Sequence, residues 1–100
     1  MSERQLVLGD FSGLIGQVFT LEETDFPPIA LTLKAAEPLV NRGQRPDFRP
    51  PFSLTFLAQD PRILEQRMYR LANATMGSVS LFLVPTGKDD RGVFYDSTFN

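Results

Sequence analysis

Apolar and polar positions alternate with a period of two along most of the chain. Residues 17–22 (QVFTLE) put Phe19 and Leu21 on one face, and residues 29–35 (IALTLKA) set Ile29, Leu31, Leu33 and Ala35 against Ala30, Thr32 and Lys34. Residues 52–57 (FSLTFL) repeat the pattern with Phe52, Leu54 and Phe56 opposite Ser53 and Thr55. Successive side chains of a strand point to opposite faces, so this alternation predicts half-buried strands. A shorter version at residues 68–72 (MYRLA) turns Tyr69 and Leu71 inward and Arg70 outward. Residues 78–84 (SVSLFLV) begin by alternating and then become apolar on both faces, the signature of a strand covered on both sides. Phe82, opposite Val79, Leu81 and Leu83, must then face a second layer or a partner. Residues 93–99 (VFYDSTF) supply a sixth strand. Phe19, Phe52, Phe56 and Tyr69 share faces with leucines and are expected in the core.

Turn-forming residues separate these segments. Asp25-Phe26-Pro27-Pro28 breaks the first pair of strands, Met76-Gly77 fits a turn, and residues 86–92 (TGKDDRG) form a hairpin loop. Two short helical connectors are predicted. Residues 10–16 have Asp10 as N-cap and close on Gly16; residues 60–66 have Asp60 at the cap and Pro61 at the first position. No repeat or low-complexity tract is present. The expected fold class is therefore all-β: a single small antiparallel barrel or sandwich of about six strands with one or two short helical turns, spanning residues 1–100 as one domain.

Composition narrows the function more than it defines it. With 100 residues and 42% hydrophobic content, the chain supports one modest core. The net charge is −2 with a pI near 5.0, which argues against nucleic acid as a partner, since such domains are normally basic. Residues 1–11 carry no apolar signal region, and the apolar run at residues 79–85 is far shorter than the roughly 20 residues a helix needs to cross a bilayer. The expectation is a cytoplasmic product that makes no membrane contact and could end in an extracellular assembly.

Cysteine and histidine are both absent, so thiolate and imidazole chemistry are excluded along with the commonest metal ligands. The acid pairs Glu22-Glu23 and Asp89-Asp90 fall at strand ends or turns, where solvated carboxylates are ordinary. Lys88-Asp89-Asp90 lacks the ligand series of a calcium loop, and Gly9, Gly13 and Gly16 lack the spacing of a phosphate-binding loop. The sequence thus predicts no catalytic residue, no cofactor and no metal, and a non-enzymatic role.

What remains is the loop at residues 38–51, whose core reads NRGQRPDFRPP. Arg42, Arg45 and Arg49 are three of the eight arginines, against two lysines, and arginine is the cation favoured at interfaces. Prolines 46, 50 and 51 hold such a segment extended, and Phe48 is an aromatic offered from a polar loop. The loop is either a lid on the domain or a docking site. Candidate partner-binding residues are Arg42, Arg45, Phe48, Arg49 and Phe82. An alternative has the three arginines clamping an anionic small molecule at a barrel mouth. A sheet with free edges could also self-associate by strand addition, with residues 5–8 or 93–99 as the added strand.

The run Pro51-Phe52-Ser53-Leu54-Thr55-Phe56, then Leu64-x-Gln66-x-x-Tyr69-x-Leu71, then Gly77-x-x-x-Leu81-Phe82-Leu83-Val84-Pro85-x-Gly87, resembles a family of short bacterial proteins of unknown function. Phe11-x-x-Leu14-x-Gly16-x-x-Phe19-x-Leu21 and the terminal Phe99-Asn100 extend the resemblance over nearly the whole chain. Such proteins are often encoded near phage-tail-collar or fibre-type proteins. The resemblance implies an accessory or structural subunit with a protein partner of that type, and it carries over no catalytic residue.

Overall fold

A computed structural model of the chain describes residues 6–22, 28–39 and 50–99. A four-residue helix, α1 (Gly9–Ser12), precedes six strands: β1 (Val18–Leu21), β2 (Ala30–Pro38), β3 (Phe52–Ala58), β4 (Arg67–Asn73), β5 (Gly77–Asp89) and β6 (Gly92–Phe99). Every pairing is antiparallel, and the strands close into a ring in the order β1-β2-β3-β6-β5-β4. Strands β4-β1-β2-β3 form a Greek key, and β3-β6-β5-β4 form a second one. The ring decides between the two expected architectures in favour of a barrel.

Alternation fills the inside. Phe19 and Leu21 of β1, Leu31 and Leu33 of β2, and Phe52, Leu54 and Phe56 of β3 are all buried. Tyr69 and Leu71 of β4, Val79, Leu81 and Leu83 of β5, and Val93 and Tyr95 of β6 complete the lining. Phe19 and Phe56 meet edge to face across the interior at 5.3 Å.

Both ends are stoppered. At one end α1 inserts Phe11, whose ring lies 6.0 Å from those of Phe52 and Phe99, themselves stacked at 4.5 Å. At the other end residues 59–66 cross from β3 to the opposite side of the ring and bury Leu64. The Tyr95 hydroxyl pins this crossover: it accepts the Leu64 N–H at 3.0 Å and donates to the Arg62 carbonyl at 3.3 Å. Tyr69 donates its hydroxyl to the Glu65 carbonyl at 2.7 Å.

Several sequence expectations are corrected. The first helix spans Gly9–Ser12 rather than residues 10–16, because the Asp10 carboxylate accepts from the Val7 N–H at 2.8 Å from within the first turn. Residues 60–66 are not helical: Asp60 is held by Arg62, and the Leu64 amide goes to Tyr95 instead of a helical carbonyl. The predicted hairpin loop at residues 86–92 is mostly strand. β5 continues to Asp89 through an irregularity in register between Pro85 and Gly87, leaving only Asp90 and Arg91 in the turn. The strand at residues 78–84 is covered on one face only, since Phe82 stays 42% exposed. Strand β6 is laddered to β3 from Val93 to Phe99 and to β5 from Gly92 to Asp96, and residues 6–8 form no strand. The break at residues 25–28 and Gln5 fall largely outside the described residues.

Asn73, at 5% exposure, is with Ser97 one of the two buried polar residues among those described. Its Nδ2 donates to the Val18 carbonyl at 3.0 Å and to Gln17 Oε1 at 3.2 Å, while Oδ1 accepts from the Thr75 and Met76 amides. One side chain thus ties β1 to β4 and caps the turn into β5. Replacing Asn73 with alanine removes four hydrogen bonds to part-buried groups and is expected to cost about 1–3 kcal/mol. A lowered denaturation midpoint with an unchanged slope in urea checks it.

Candidate interaction surface

Apart from Asn73 and Ser97, the polar and charged side chains of the described residues stand outside the buried core. Counting back from the β4–β5 turn, the outward pairs are Ala72 with Ser78, Arg70 with Ser80 and Met68 with Phe82. Met68 is 55% exposed beside Phe82, so two large apolar side chains stand together on the outer face. Next to them Arg70 pairs with Glu22 at 3.5 Å, and Ser78 Oγ donates to Glu22 Oε1 at 3.1 Å.

Of the predicted partner-binding residues, Phe82 lies on the outer face of β5, exposed. Arg42, Arg45, Phe48 and Arg49 lie outside the described residues. The stems of their loop are joined, since the Leu39 N–H donates to the Pro51 carbonyl at 3.0 Å. Leu39 and Pro51, which flank it, lie at the same end of the barrel as α1, where Phe52 meets Phe11. Met68 gives no signal of its own in the sequence, because its surroundings depend on which strand lies beside β4. The turn at Met76-Gly77 carried the signal, because a tight hairpin there sets Met68 opposite Phe82.

The described arginines are engaged within the chain. Arg62 binds Asp60 through its backbone N–H (3.0 Å), its Nε (2.8 Å) and its terminal nitrogen. Arg91 binds Asp89 in the same way across the β5–β6 turn and lies 5.0 Å from the Phe94 ring. Arg67 sits 4.1 Å over the Tyr69 ring and donates to the Met68 carbonyl. Among the described residues no three acidic side chains gather as a metal site would require. A shallow groove outside β1–β3 is lined by Val18, Ala30, Thr32, Leu57, Gln59 and Asp60.

The hydrogen bonds from Arg62, side chain first and backbone second, lower the pKa of Asp60 from 3.8 to about 2. The folded-state value lies below the unfolded one, so the pair contributes stability above about pH 4 and loses it as pH falls toward 2. Asp60→Asn is expected to flatten this part of the acid profile by a small amount, the pair being exposed. Thermal melts of both proteins between about pH 5 and pH 2 check it.

With this geometry in place, comparison with protein families gives one assignment. A family model described as "Domain of unknown function (DUF6916)" matches residues 6–99. The chain belongs to the DUF6916 family. The match runs from the residue preceding α1's approach to the end of β6, so the stoppered barrel as a whole is the DUF6916 unit. Searches of curated proteins and of solved structures returned no match. Among the described residues no helix is long and apolar enough to cross a membrane.

Proposed function

We propose that this DUF6916 domain is a non-enzymatic interaction module, an accessory or assembly subunit of a bacterial fibre or phage-tail-like system that acts through protein–protein contacts. The observation that carries the reading is the outward Met68–Phe82 pair on a barrel whose interior is filled and stoppered at both ends. Exposed apolar residues standing together are what an interface core needs, and aromatic and methionine side chains are enriched there. The resemblance to short bacterial proteins encoded near collar and fibre proteins supplies the partner class. The arginine-rich loop, with Arg42, Arg45, Phe48 and Arg49, is a second contact region on sequence grounds.

The alternative of an anionic-ligand barrel gains no support from the interior, where Phe11, Phe52 and Phe99 occupy the end from which the arginine loop departs. Co-expression with a collar- or fibre-type protein from the same genome tests the proposal. A stable complex is expected to form and to be lost in Phe82→Ser while the variant's melting temperature is retained. Absence of any complex with such proteins would overturn the reading.

A further inference from the structure

The ring leaves several strand segments laddered on one side only among the described residues, and they are not equally protected. In β2, residues 34–38 run past the last pair with β1, but they carry Lys34, Glu37, Pro38 and a shift in register. In β4, residues 67–69 run past the pairs with β1, flanked by Arg67 and Arg70, with the Glu22 N–H donating to the Arg70 carbonyl. Charges, prolines and bulges of this kind are how native sheets prevent edge-to-edge pairing.

Strand β5 is different. Its ladder to β6 begins only at Val84 opposite Asp96. Among the described residues, 77–83 are therefore laddered to β4 alone, and residues 97–99 of β6, beyond that pair, are laddered to β3 alone. This seven-residue edge, GSVSLFL, contains no charge and no proline, and Pro85 comes only after the ladder to β6 has begun. Inward Val79, Leu81 and Leu83 anchor it to the core, leaving Ser78, Ser80 and Phe82 outward. It is the longest and least protected edge segment in the described barrel.

We propose that residues 77–83 of β5 dock antiparallel on the same residues of a second copy of this chain, about a two-fold axis at Ser80. The proposal rests on the reading of the domain as an interaction module and names one partner, the chain itself. The outward pattern is self-complementary under that axis. Large Met68 and Phe82 of one copy line up beside small Ser78 and Ala72 of the other, and Ser80 meets its own counterpart. Because the edge is uncharged, pairing it with itself brings no like charges into opposition. The contact satisfies the edge's outward backbone groups and covers the exposed apolar pair in one step.

Light scattering of the full chain over a dilution series, with two substitutions, tests it. The wild-type chain is expected to show a dimer mass that falls to the monomer mass on dilution. Ser80→Lys, which sets two cations against each other at the axis, is expected to lose the dimer at every concentration while keeping its melting temperature. The chain has no cysteine, so Ser80→Cys reports proximity without background: mild oxidation is expected to give a covalent dimer, and Ser53→Cys, outward on the doubly laddered β3, is not. If Ser80→Lys fails to fold, the cross-link decides alone. A wild-type chain that is monomeric throughout, or a dimer that survives Ser80→Lys and resists cross-linking through Ser80→Cys, overturns the proposal. A monomer that still binds a fibre-type protein removes this edge contact and leaves the assembly reading standing. A cross-linked dimer that binds no such protein does the reverse.

Discussion

Replacing Gly92 with alanine is expected to cost roughly 3–5 kcal/mol, the upper end of what single substitutions do. Gly92 opens β6 immediately after the Asp90-Arg91 turn and takes φ +138°, a conformation that L side chains rarely adopt. The surroundings add a second obstacle. A Cβ at this position would collide with the carbonyl oxygen of Ala58 and approach Gln59 Cα to 2.9 Å. Both are backbone atoms at the end of β3, so neither a rotamer change nor a flexible side chain can relieve the overlap. The substitution must push β6 away from β3 where Ala58 pairs with Val93. Two other glycines separate the contributions. Gly77 has φ +85° with nothing near its Cβ position, so Gly77→Ala isolates the conformational penalty, about 1–2 kcal/mol. Gly87 has neither a positive φ nor a close neighbour, and Gly87→Ala is expected to be close to neutral. Urea denaturation of the three variants checks the order, and an equal effect at all three would remove the steric argument.

The same hairpin shows how far the sequence could be read. Its residues TGKDDRG are all turn formers, and local propensity alone makes them a loop. They are strand because β6 lies alongside to pair with residues 87–89 and because the Asp89 carboxylate takes up the Arg91 amide at 2.8 Å, tightening the reversal. Where one face of a strand meets the core, alternation located it closely: Phe52, Leu54, Phe56, Tyr69 and Leu71 all point where their period puts them. Strand order is another matter. Nothing local in β1 or β4 says that Phe19 pairs with Asn73, and that contact closes the ring. The same limit hid Tyr95 and Asn73, whose polar atoms act on segments 31 and 55 residues away. Phe82 was legible as unusual because a fourth apolar residue among Val79, Leu81 and Leu83 breaks alternation. That it stays uncovered, and that Met68 joins it, needed the register of β4 against β5.

Truncating Phe11 to alanine is expected to destabilise the domain by about 3–5 kcal/mol, the range for a buried aromatic. Phe11 is fully buried although its helix has only four residues and cannot be stable by itself. The dependence runs from packing to helix: the ring's contacts with Phe52 and Phe99 hold α1 against the barrel end. Phe82→Ala, which removes an equally large but outward ring, is expected to change stability by no more than about 0.5 kcal/mol. The contrast between the two separates core from surface in one measurement of denaturation midpoints. Phe11→Ala also bears on function. It opens an apolar void at the end of the barrel, and a small apolar molecule such as benzene is expected to raise the melting temperature of the variant but not of the wild-type chain. A wild-type chain stabilised by benzene would mean that the interior already has room for a ligand and would remove the argument that Phe11 fills the barrel end.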